Sequence, residues 1–95
     1  MADELLNVTG KTTDGKKVVG GVYRFYETHG LPLNIIFQIL LDQGSVPDWL
    51  DIYDAALAAG MKHKRILAKL EPDIDDSYGY DFRVAVIERL RKHRP

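Results

Sequence analysis

Residues Ala55 to Leu70 read AALAAGMKHKRILAKL. The stretch joins a helix end made of small residues to a basic helix start across a single glycine. Two helices that cross steeply need a small side chain where their backbones meet and a glycine able to take positive φ in the turn between them. Ala56 and Gly60 meet both needs, and Ala55, Ala59, Met61 and Ile66 stand where the second helix would be anchored on the first. Lys69 takes one further anchoring position, with Leu70 beside it. The spacing is that of a helix-turn-helix, and it equally suits an ordinary helical hairpin with solvated lysines.

Working upstream, Ser45 supplies a capping hydroxyl and Pro47 a first-turn proline for the helix that Gly60 closes. Trp49, Leu50, Tyr53, Ala56 and Leu57 lie on one side of it, and Asp48, Asp51 and Asp54 on the other. The preceding helix opens at Pro32, runs through Leu33, Ile35, Ile36, Phe37, Ile39, Leu40 and Leu41, and stops at Gly44. Being apolar nearly all round, it belongs in the middle of the structure. A first helix is expected from Lys16 to His29, with Val18, Val19, Val22, Phe25 and Tyr26 at three-and-four spacing and Gly30 as its cap. Gly20 and Gly21 inside it each cost about 1 kcal/mol relative to alanine, which implies fraying or a closely packed neighbour.

Residues 1–15 hold Gly10, Thr12, Thr13, Asp14 and Gly15 and read as an extended, turn-rich arm. The competing reading is a hairpin around Asp14-Gly15 that pairs Leu5 to Val8 with Lys17 to Gly20. Downstream, the basic helix runs from about Lys62 to Glu71, burying Ile66, Leu67 and Leu70, and Pro72 is expected to end it. An acidic loop follows. A fifth helix, from about Tyr78 to His93, turns Phe82, Val86, Ile87 and Leu90 inward and Arg83, Arg89 and Lys92 outward. The expected fold class is all-α, a compact bundle of about five short helices, with an arm over 1–15 and one helical domain over 16–95.

Composition bounds what such a domain can be. With 95 residues there is room for one core, and 45% hydrophobic with 28% charged residues is far from the signature of disorder. The absence of cysteine excludes a disulfide framework or a thiolate metal site, so packing supplies the stability. The start, MADELLNVTGK, places acids where a signal peptide needs bases. Leu31 to Leu41 is interrupted by Pro32, Asn34 and Gln38 and falls short of the roughly 20 residues of a bilayer span. A cytoplasmic protein with no membrane partner is expected.

Net charge is −1, unevenly spread: residues 1–60 carry four Lys/Arg against eight Asp/Glu, and residues 61–95 carry nine against six. The bases cluster at Lys62, Lys64, Arg65 and Lys69, then at Arg83, Arg89, Arg91, Lys92 and Arg94, with acids from Glu71 to Asp81 between. Such asymmetry suits a polyanionic partner.

Over these sixteen residues the segment resembles the helix-turn-helix of the Fis family, in its Ala-Ala pair, the glycine four residues after the second alanine and the apolar residue beyond the turn. The resemblance implies a recognition helix opened by Lys62, His63, Lys64 and Arg65, with Lys69 further along, facing phosphates and base edges of double-stranded DNA. Arg89, Arg91, Lys92 and Arg94 would add phosphate contacts. Against it stand Asp48, Asp51 and Asp54, which would repel DNA where the first helix of such a motif crosses the backbone.

Other signals are weaker. Gly10-Lys11-Thr12 copies the end of a phosphate-binding loop, but Leu5 stands where its first glycine belongs. Asp73, Asp75, Ser77 and Gly79 fall short of a calcium loop, which needs glutamate where Val84 stands. His29, His63 and His93 have no partner at metal-binding spacing. No metal or cofactor is implied, and without a nameable nucleophile and base no enzyme is expected. Tyr78, Tyr80 and Phe82 beside acids form a candidate protein-binding patch. Two functions follow as expectations: a small DNA-binding module, or a protein–protein adaptor or assembly subunit. The sequence leaves homo-oligomerisation open.

Overall fold

The structure, a computed structural model, describes residues 6–93. It corrects the all-α expectation. Three strands, β1 (Asn7–Lys11), β2 (Lys17–Gly20) and β3 (Ser45–Pro47), accompany five helices: α1 (Val22–His29), α2 (Leu33–Asp42), α3 (Trp49–Ala58), α4 (His63–Tyr78) and α5 (Tyr80–His93). The sheet is mixed, in the order β1-β2-β3, with β1 antiparallel and β3 parallel to β2.

Where an extended arm was expected, residues 7–20 form a hairpin. Asn7 faces Gly20 and Lys11 faces Lys17, with a shift in register between Val8 and Gly10. Its turn is closed by Thr12 N–H to Lys16 O at 2.8 Å, Gly15 N–H to Thr12 O at 3.0 Å, and Lys16 N–H to the Thr12 hydroxyl at 3.0 Å. The Asp-Gly pair thus turns the chain as the competing reading held, with Asn7–Lys11 as the first strand. Leu5 lies outside the described residues.

The first helix is accordingly shorter at its start than its periodicity suggested, because Val18 and Val19 serve the sheet. Gly20 sits where an added Cβ would come 2.8 Å from Thr9 Cγ2, and Gly21 caps α1 at φ 83°. The glycine pair therefore marks a close approach and a sharp change of direction. Ser45 and Pro47 are likewise buried strand residues, Lys17 facing Ser45 and Val19 facing Pro47. Asp48 takes over as the N-cap of α3, accepting from Asp51 N–H at 3.2 Å.

Pro72 does not end the fourth helix, which continues to Tyr78. A mid-helix proline leaves the carbonyl four residues back without its donor. Both Pro72 and Ala68 are exposed, so water can serve that carbonyl. The acidic loop is therefore mostly the second half of α4.

The core gathers Val22, Tyr23, Leu33, Ile36, Phe37, Leu40, Trp49, Ile52, Tyr53, Ile66, Leu70, Ile74, Val86, Ile87 and Leu90 from all five helices. Each such side chain removed from water contributes roughly 1.5–3 kcal/mol. Trp49 meets Phe37 and Tyr78 edge-on at 5.2 and 5.7 Å, and Tyr78 stacks on Phe82 at 4.7 Å. That places Tyr78 and Phe82 against the core, while Tyr80 stays 64% exposed with the Arg83 guanidinium 4.8 Å from its ring centre.

Candidate nucleic-acid interface

α3 and α4 are separate helices divided by a tight turn. Ala59 N–H donates to Ala55 O and Met61 N–H reaches back to Ala56 O at 3.1 Å, while Gly60 takes φ 100°, which side-chain-bearing residues rarely adopt. Ala56 is 1% exposed, the small residue at the junction. Tyr53 and His63 close the turn with a 2.6 Å hydrogen bond between the hydroxyl and Nδ1. His63 is thereby held at the base of the turn, half-buried.

Lys62 caps α4 in an extended conformation without a side-chain bond to the helix, leaving the first N–H groups without a capping side chain. From there α4 turns Ile66, Leu67, Leu70 and Ile74 inward and exposes Lys64, Arg65 and Ala68. Ala68 borders two grooves. On one side lie Arg65, Lys69, Tyr23, Tyr26 and Met61; on the other His63, Lys64, Leu67, Glu71 and Arg91. Lys64 and Arg65 thus flank a low crest, with Lys69 and Arg91 beyond them. Arg89 is elsewhere, lining a groove with Lys11, Trp49 and Phe82. Lys92 is exposed on the last turn of α5, and Arg94 lies outside the described residues.

No family model, no curated protein and no solved structure matches the chain. What the site can bind is therefore set out by its own chemistry.

Among the described residues the ion pairs are Arg83 with Glu71 at 3.5 Å and His93 with Asp54 at 3.1 Å. Neither involves Lys62, Lys64, Arg65 or Lys69. Lys69 instead places its ammonium 4.8 Å from the centre of the Tyr26 ring. Dipole chemistry disfavours bases at the start of a helix, so their presence on α4 is not explained by helix stability.

The aspartates that seemed to oppose DNA are largely turned to structural work. Asp48 accepts from Asp51 N–H and from the Thr9 hydroxyl, the latter at 2.9 Å, and Asp51 accepts from Gly21 N–H at 2.8 Å. Together they fasten the hairpin and the start of α1 to α3. Further along α4, burial raises the Asp73 carboxyl above its usual range, with Lys69 opposing the shift and Asp76 adding to it.

Sequence reasoning missed Tyr23 and read Tyr26 only as part of the apolar stripe of the first helix, where it does pack against the core. Their spacing of three on one helix put both on one face, and that face lies partly against the basic part of α4. Among the described residues no helix is long and apolar enough to cross a membrane, and no group of three or more His, Asp or Glu side chains could hold a metal.

Proposed function

We propose that this is a cytoplasmic DNA-binding module that presents the first half of α4 to double-stranded DNA. The observation that carries the reading is the crest at Ala68. Lys64 and Arg65 are exposed and free of carboxylate partners among the described residues, and the residue between them and the next turn is too small to hold a strand away. Lys69 and Arg91 extend positive charge down either flank. Cations so placed neutralise phosphates and release counterions, which supplies most non-specific affinity. Arg89 lines a different groove, with Lys11 and Trp49, and is left out of this surface.

The deciding experiment is an electrophoretic mobility shift with random-sequence duplex at low and moderate salt. Retardation at low salt that is lost steeply as salt rises supports the reading. Free migration of the duplex at low salt overturns it.

A protein-binding adaptor is the second reading, and one observation favours it. Leu31, Ile35 and Ile39 are 36%, 44% and 45% exposed and recur at intervals of four along and just before α2. The Tyr78 to Phe82 patch expected from sequence is less suited, since Tyr78 and Phe82 pack inward. Sedimentation that shows self-association, abolished by Ile35→Lys, supports this second reading.

A further inference from the structure

We infer that the groove between α1 and α4 receives an unstacked nucleotide, so that the preferred ligand is a duplex ending in a single strand. The inference rests on the DNA-binding reading and adds the class of DNA. The groove is open to solvent, offers about 530 Å³ and is lined by Tyr23, Tyr26, Met61, Arg65, Ala68 and Lys69. That volume falls within the usual range for sites that hold a small planar ligand.

Its chemistry is not that of a bare phosphate contact. The two tyrosine rings lie 5.6 Å apart at 46°, Tyr23 buried and Tyr26 half-buried. Tyr23, 6% exposed, gives its hydroxyl only a thioether, the Met61 sulfur at 3.4 Å. Sulfur is a weak acceptor, so this buried donor is underused, and the oxygen or ring nitrogen of a base edge would satisfy it better. Burial, with Glu27 and Tyr26 adding and Lys69 opposing, raises that hydroxyl above its ordinary range. Tyr26 offers a half-buried ring beside the Lys69 ammonium, 4.8 Å from its centre, and a base stacks on that ring when the lysine moves onto a neighbouring phosphate. Arg65 and Lys69 at the rim supply charge for the phosphates on either side of the base. A paired base inside a duplex cannot enter such a groove, whereas an unpaired one enters without the cost of unstacking.

The test compares a short blunt duplex, the same duplex with a thymidine overhang, and the overhang strand alone, by fluorescence anisotropy with the label at the far end. The overhang duplex is expected to bind about tenfold more tightly than the blunt one, a ratio typical of stacking one base on an aromatic ring. Tyr26→Leu, which keeps apolar bulk but removes the ring on which Lys69 rests, should erase that ratio; the ratio is read within each protein, so a loss of affinity common to both duplexes cancels, and circular dichroism checks that the variant is folded. Equal affinity of wild-type protein for blunt and overhang duplexes overturns the inference and leaves the duplex reading standing. An overhang preference that survives Tyr26→Leu also overturns it. Failure to bind any of the three ligands at low salt removes the DNA-binding reading itself.

Discussion

The Tyr53 hydroxyl and His63 Nδ1 lie 2.6 Å apart, joining a fully buried ring on α3 to the first residue of α4. Four residues of turn separate the helices, and this bond spans them. Tyr53→Phe keeps the ring packed and removes only the hydroxyl, so it should cost about 1 kcal/mol. Urea denaturation checks this; an unchanged midpoint would show that the turn holds without the bond.

Charge reversal at the crest separates function from stability. Lys64→Glu with Arg65→Glu should abolish retention of duplex DNA. The fold should be no less stable, because acids near a helix N-terminus are favoured by about 0.3–1 kcal/mol each. A mobility shift paired with a thermal melt reads both effects. Retained binding would remove these residues from the interface.

The two arginines of α5 are expected to differ. Arg91 shares a groove with Lys64, whereas Arg89 shares one with Lys11 and Trp49. Arg91→Glu should weaken duplex binding and flatten its salt dependence, the slope falling by about 0.9 for each phosphate left without its cation. Arg89→Glu should change neither. Titrations at several salt concentrations distinguish them.

Gly20 is expected to resist a side chain while the Thr9 methyl stands opposite it. A Cβ there meets Thr9 Cγ2 at 2.8 Å, so Gly20→Ala should destabilise by about 1–3 kcal/mol. Adding Thr9→Ser removes the offending methyl and keeps the hydroxyl bonded to Asp48. The double variant should recover much of the stability, as a non-additive cycle in chemical denaturation. Strict additivity would refute the steric account.

Alkaline pH should loosen the core through Tyr78. Burial pushes its hydroxyl from the ordinary 10.0 up to about 12. Because the folded value is the higher one, the stabilisation is whole below pH 10.0 and is lost as pH climbs toward about 12. Stability measured across that window should fall more steeply in wild-type protein than in Tyr78→Phe. Parallel curves would mean that Tyr78 does not titrate late.

Helical periodicity located α2, α3 and α5 well, since stripes such as Phe37 with Leu40, or Val86 with Leu90, have no equally good strand alternative. It misled at Val18 and Val19, where the same valines suit either period and the choice depends on a partner strand near residue 46. Ser45 and Pro47 were a locally valid helix start that tertiary pairing overrode. Pro72 breaks helices in general, and only its exposure explains why α4 passes through it. At the site, the turn at Gly60 and the outward Lys64 and Arg65 were legible. The engagement of Asp48 and Asp51 by the hairpin was not, because Thr9 and Gly21 are distant in sequence. Nor was the separation of Arg89 from Arg91, which depends on how α5 is rolled against its neighbours.

The acidic second half of α4 has an effect of its own. The Arg83–Glu71 pair and the groove shared by Lys64 and Arg91 show that α4 and α5 run in opposite directions. Bases therefore collect at one end of this pair, with Asp73, Asp75, Asp76 and Asp81 at the other. Along α4, side-chain and peptide dipoles point the same way and reinforce each other. Taken by itself, this helix pair would feel a torque in the field of an extended anion, its Lys64 end turning forward before two surfaces touch.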